Sequence, residues 1–101
     1  MICVLASITV KPEKKAEYIE LFKANVPNVL AEDGCIEYAP MIDENIDVEI
    51  QSLDDCVVTI VEKWESVAHL KAHFQAPHML TLKQAVADMV ENVSLKVLSD
   101  A

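Results

Sequence analysis

The stretch VEKWESVAHLKAHFQAPHML, residues 61–80, carries all three histidines of this chain, His69, His73 and His78. His69 and His73 stand four residues apart, the interval that puts two side chains on one face of a helix. Two imidazoles at that interval can ligate a metal, but a metal would need a third protein ligand and supporting hydrogen bonds, and no further ligand is evident from spacing. No metal site is therefore expected. On a helical wheel His73 falls beside Leu70 and Phe74 at the edge of an apolar stripe, and His69 points further toward solvent. An imidazole titrates near neutral pH, so His73 is the candidate general base. The alternative is a boundary histidine that bonds a backbone group. Glu62 shares strand parity with Ile60 and Trp64, which sends its carboxylate inward. A buried carboxylate must be paired, or it takes up a proton. His73 is one partner for it, and helix amides are the other. His78 follows Pro77 at the start of a helix, where exposed N–H groups and the positive dipole end favour an oxyanion. Trp64 offers a flat apolar wall, or simply core.

These residues sit in a short, acidic chain. Its 101 residues form one domain, 1–101, able to bury a modest core. The net charge is −9 and there is no arginine. Nucleic-acid binding is not expected, since it depends on cations that displace phosphate counterions. No run approaches the roughly 20 apolar residues that cross a bilayer, so no membrane partner is expected. MICVLASITV lacks a basic n-region and reads as a strand rather than a signal peptide, which makes the cytoplasm the expected compartment. Between Ala24 and Glu62 there is no Lys or Arg, while Glu32, Asp33, Glu37, Asp43, Glu44, Asp47, Glu49, Asp54 and Asp55 all fall there. That segment lacks the D-x-D-x-D-G spacing of a calcium loop and reads as a solvated acidic edge. Cys3, Cys35 and Cys56 are odd in number with no C-x-x-C pair, and each lies in an apolar setting, so they read as small hydrophobes.

The elements that must position the histidines follow from periodicity. Ile2, Val4, Ala6, Ile8 and Val10 alternate with a second face in a first strand. Pro12 opens a helix whose stripe runs Tyr18, Phe22, Val26, Val29, with Pro27 expected to kink or shorten it. Gly34, the only glycine, is expected to cap that helix with a positive φ. Strands are read at 35–41 and 56–64, and a half-exposed one through Ile46, Val48 and Ile50. Val67, Leu70 and Phe74 begin a helix that restarts at Pro77 and continues through Met79, Leu82, Val86 and Met89. Val93, Leu95 and Val97 form a closing strand. The order is β-α-β-β-α-β, an α+β ferredoxin-like antiparallel sheet with an extra hairpin strand. Helices cover one face of such a sheet. The other face here has little polarity and is expected to pack against a second copy, making a homodimer.

Three motifs in this order, E-D-G-C-I-E-Y at 32–38, E-K-W-E-S at 62–66 and H-F-Q-A-P-H at 73–78, resemble the antibiotic biosynthesis monooxygenase family, in its small quinol-monooxygenase-like branch. The resemblance implies a dimeric α+β barrel with a pocket in each subunit between sheet and helices. It also implies oxygen insertion into a small quinol or related aromatic without flavin, metal or haem, the deprotonated substrate itself passing an electron to O2. Trp64 resembles the pocket tryptophan of the actinorhodin-pathway branch, but the asparagine and tyrosine that accompany it there fall on Ile60 and Leu70, which argues against a polyketide substrate. The haem-degrading branch needs an asparagine, a tryptophan and a histidine ligand where this chain has Ala6, His73 and Lys83, which removes haem degradation by that route.

On that basis the expected catalytic residues are His73, as base, and Glu62, orienting it. Trp64, Tyr38 and His78 are the expected substrate-binding residues, with Tyr38 donating to a quinol oxygen. Two other readings use the same pocket. One is isomerisation of a small carbonyl compound, which needs a base but no oxygen. The other is non-catalytic binding of an apolar ligand by a stress-response protein.

Overall fold

A computed structural model describes the whole chain, Met1 to Ala101. Strand β1 (Ile2–Val10) is central, and its expected alternation is realised: Ile2, Val4, Ala6, Ile8 and Val10 are buried while the residues between them are half-buried. It pairs antiparallel with β3 (Val57–Trp64) on one side and β4 (Val90–Leu98) on the other. Strand β2 (Cys35–Met41) pairs with β3, giving the order β2-β3-β1-β4. With α1 (Lys15–Leu30), α2 (Val67–Phe74) and α3 (Pro77–Ala85), this is the ferredoxin-like α+β arrangement read from the sequence. No helix is long and apolar enough to cross a membrane.

Parity places Val58, Ile60, Glu62 and Trp64 on the buried side of β3, opposite Ile8, Ala6, Val4 and Ile2 of β1. Tyr18, Phe22, Asn25 and Val29 of α1 close over that face. Pro27 lies on the solvent side of α1, where water can take the carbonyl that a proline leaves free, and the helix continues past it to Leu30.

Three expectations need correction. Residues 42–56 contain no strand; they form an irregular loop in which Ile50 is 93% exposed. Its short polar side chains bond its own backbone in place of a ladder. Asn45 Oδ1 accepts from the Asp47 N–H at 2.8 Å, Asp43 Oδ2 from the Asp54 N–H at 2.7 Å, and the Gln51 amide donates to the Glu44 carbonyl at 2.6 Å. Gly34 does adopt φ +83°, but in the turn before β2, four residues beyond the helix end. The last helix stops at Ala85; Val86 and Met89 are buried in the turns that follow, where the Met89 carbonyl accepts from the Lys11 N–H at 2.9 Å.

The helices do not reach across the whole sheet. Val93 and Leu95 of β4 lie opposite Ile8 and Ala6, so they share the helix-covered face, yet they remain 58% and 46% exposed. Beneath them the interior opens into a cavity.

Candidate active site

The cavity has a volume of about 680 Å³ and lies between the helical layer and the β1–β4 side of the sheet. Fifteen of its nineteen lining residues are hydrophobic, including Ala6, Ile8, Phe22, Ile60, Met79 and Leu82. A mostly apolar concavity with a few converging polar groups is the usual form of a small-molecule site. His73, Glu62, Tyr38 and Tyr18 supply polar atoms to the wall, and Lys83 of α3 and Gln75, in the turn after α2, are exposed at its edge.

His73 projects from the inner face of α2 and is 2% exposed. Helix α2 begins at Ser66, whose hydroxyl oxygen caps the His69 N–H at 3.3 Å, and its phase turns Leu70 and His73 inward together. The ring rests against Trp64, with centroids 4.7 Å apart, and meets Tyr38 edge-on at 5.4 Å. Its Nδ1 lies 2.9 and 3.1 Å from the two carboxylate oxygens of Glu32. An ionised carboxylate can only accept, so Nδ1 carries the proton and Nε2 keeps its lone pair. Nε2 has no protein partner, and no buried side-chain nitrogen or oxygen is left unsatisfied, so this atom opens onto the cavity. That is the disposition a general base requires.

Glu32, read from the sequence as part of a solvated acidic edge, is instead the carboxylate that bonds His73. It stands in the turn between α1 and β2, and its side chain is 13% exposed. One of its oxygens, Oε2, also takes the Nε2 of His78 at 2.7 Å. The turn reaches α2 because both loops emerge from the same end of the sheet, where the Gly34 carbonyl accepts from the Glu65 N–H at 2.8 Å. Glu32 opens the motif E-D-G-C-I-E-Y, just ahead of the only glycine. That position was the available signal.

Glu62 points inward as its parity requires, at 4% exposure, and lines the cavity. It does not make the expected bond with His73. Its Oε1 accepts from the Trp64 indole N–H at 2.9 Å, because residues two apart on a strand share a face and Trp64 is its immediate neighbour there. Burial pushes the Glu62 carboxyl up from the ordinary value, offset in part by the Trp64 hydrogen bond and the nearby His73, while Glu32 adds to the rise. Its second oxygen bonds nothing in the protein and faces the open space.

Trp64 is fully buried behind His73 and is not part of the cavity wall, so its contact is with the imidazole and Glu62. Tyr38 does reach the cavity, stacked on Phe22 with centroids 5.3 Å apart. Burial and the adjacent carboxylates push its phenol well above the ordinary value, so it stays a hydrogen-bond donor. Tyr18 is pushed up to about 12 by burial. His78 begins α3 outside the cavity and is held by Glu32 rather than aimed at a ligand. His69 and His73 do not converge. His69 lies 3.4 Å from Asp33 and 3.9 Å from Glu65, so third groups do gather there, contrary to expectation; both acids are exposed, as in ordinary solvated ion pairs. Cys3, Cys35 and Cys56 are all free thiols.

Comparison with known proteins places the chain among its relatives. The chain is 38% identical over 100 residues to the Escherichia coli K12 protein named probable quinol monooxygenase YgiN, covering 97% of this chain and 96% of that one. It is 32% identical over 89 residues to the uncharacterised protein sll1783 of Synechocystis, covering 88% of this chain and 55% of that one. Solved structures share the fold: a conserved protein of Methanosarcina mazei at a TM-score of 0.83 and 23% identity, covering 99% and 92% of the two chains, and PA3566 of Pseudomonas aeruginosa at 0.82 and 23%, covering 99% and 93%. The antibiotic biosynthesis monooxygenase profile matches residues 1–85, and with the relationship across nearly the full length it establishes that this chain belongs to the antibiotic biosynthesis monooxygenase family.

Proposed function

We propose that this protein is a monooxygenase that oxidises a small quinol or related aromatic with O2, using no cofactor. The observation that carries the reading is an apolar cavity into which His73 Nε2, a Glu62 oxygen and the Tyr38 hydroxyl open together. His73 takes a phenolic proton from the bound quinol. The resulting anion gives one electron to O2, and the radical pair joins to form a C–O bond as a ring hydroperoxide. The proton held on His73 returns to the peroxide. Loss of water then yields a hydroxyquinone, so that quinol plus O2 becomes hydroxyquinone plus water. The substrate is the electron source, and the protein's part is a dry site, a base and hydrogen bonds to the substrate oxygens. Tyr38 positions one substrate oxygen, and Trp64 supports the base from behind.

The working unit proposed is a cytoplasmic homodimer, supported by the half-buried face of β1 that carries Cys3 and Leu5 and by the open β4 edge of the cavity. The test is oxygen uptake with reduced naphthoquinols and benzoquinols, read above autoxidation, with His73→Ala alongside. Uptake that needs His73 and yields the hydroxyquinone is expected; no protein-dependent uptake overturns the reading. One observation favours a second reading, isomerisation of a carbonyl compound. A Glu62 carboxyl shifted toward its protonated form beside a base could return a proton to a second carbon. Turnover under anaerobic conditions would select it.

A further inference from the structure

We propose that Glu32 is the positioning residue of the site, and that His78 acts on His73 only through it. This rests on His73 being the base, as in the function proposed above. The geometry is a single carboxylate between two imidazoles. His73 Nδ1 meets both of its oxygens, at 2.9 and 3.1 Å, and His78 Nε2 meets Oε2 at 2.7 Å. The three residues come from separate elements, α2, the α1–β2 turn and α3, and neither Glu32 nor His78 touches the cavity. Their role is therefore exerted behind the base, on the side away from substrate.

Two consequences follow from the bonding. The carboxylate fixes the His73 tautomer, because Nδ1–H must face an acceptor, and so fixes Nε2 as the basic atom. It also sets a negative charge against the imidazolium that forms when the base is loaded, which favours the state the reaction passes through. His78 holds that carboxylate in place. At 26% side-chain exposure, against 13% for Glu32 and 2% for His73, His78 is also the most water-exposed member of the trio. Glu62, Tyr38 and Trp64 face the His73 ring from the sheet, and none of them bonds Nδ1.

The test has two arms. In the first, 15N imidazole NMR reports the tautomer of His73 in wild type, Glu32→Ala, Glu32→Gln and His78→Ala. The expected result is the Nδ1–H form in wild type, and in Glu32→Ala the Nε2–H form that a histidine side chain favours in water. The isosteric Glu32→Gln, whose amide oxygen can still accept, keeps the Nδ1–H form. In the second arm, kcat and KM for quinol oxidation are measured in the same variants and in Glu32→Ala/His78→Ala. Glu32→Ala lowers kcat at least about tenfold, within the range of a positioned base, with KM little changed. Glu32→Gln recovers part of the loss. The effect of His78→Ala vanishes in the Glu32→Ala background, the mark of action through a shared partner. An Nε2–H tautomer in wild type, or an unchanged tautomer in Glu32→Ala, overturns the proposal. Additive effects of the His78 and Glu32 substitutions overturn the part assigned to His78. A wild-type protein inactive on quinols would refute the function while leaving the tautomer arm to decide the role of Glu32.

Discussion

Replacing Gly34 by alanine should be among the most damaging single-methyl changes in this chain, for two separable reasons. The backbone there sits at φ +83°, where an L-residue costs about 1–2 kcal/mol. A Cβ at this position would also overlap the Cγ and Cδ2 of the His69 ring and lie 2.7 Å from the His69 Cβ. Relieving that overlap by shifting a half-buried ring at the start of α2 costs about 1–3 kcal/mol. The sum, about 2–5 kcal/mol, is a large share of the 5–15 kcal/mol typical of a domain. For a domain of this size it corresponds to a fall in Tm of ~10 °C or more. The assay is urea and thermal denaturation of Gly34→Ala, His69→Ala and the double variant. His69→Ala removes the ring but keeps its Cβ, so it should restore only part of the steric component and none of the conformational one. His69→Gly should restore more, less about 1 kcal/mol for a glycine in the helix. A Gly34→Ala protein within ~0.5 kcal/mol of wild type, or a cost that His69 truncation leaves untouched, would refute the reasoning.

Other outcomes are equally specific. His73→Ala should lower quinol-dependent oxygen uptake at least about tenfold with the circular dichroism of the fold retained. Glu62→Gln keeps an acceptor for the Trp64 indole while removing a carboxyl raised by burial. A raised folded-state value means that the protonated group's contribution is complete below the unfolded value of 4.5 and is lost as pH rises through the folded one. The variant should thus gain stability over wild type in neutral and alkaline buffer, with the difference closing in acid, as read from urea midpoints at several pH values. Trp64→Phe leaves the Glu62 oxygen without its donor and should cost about 1–3 kcal/mol in denaturation experiments.

The strands and their parity were legible because apolar alternation survives wherever one face is buried; Val58, Ile60, Glu62 and Trp64 went inward as read. The segment around Ile46, Val48 and Ile50 alternates just as well and forms no strand. There the competing signal was polar. Asp43, Asn45 and Gln51 satisfy nearby backbone groups, and a run of acids without cations offers no cross-strand partner. At the site, His73 was legible from helical phase, and so was the inward Glu62. The Glu32 partnership was not, because it joins residues 41 positions apart through loops whose proximity only the sheet topology creates. Residue types alone made Glu62 the obvious carboxylate for His73. Its own neighbour on the strand takes that bond instead.

The lining of the cavity also bears on how a turnover ends. A hydroxyquinone is a vinylogous acid and becomes an anion at neutral pH, whereas the quinol that enters is uncharged. A mostly apolar lining with an inward carboxyl offers such an anion only a few neutral donors, the Tyr38 hydroxyl among them, in place of its hydration shell. The one cationic side chain of the wall, Lys83, lies on exposed surface, and a molecule of net charge −9 repels anions as a whole. On the proposed reaction, the oxidation that makes the product also makes it a poor ligand, so expulsion is built into the polarity of the pocket and product inhibition should be weak.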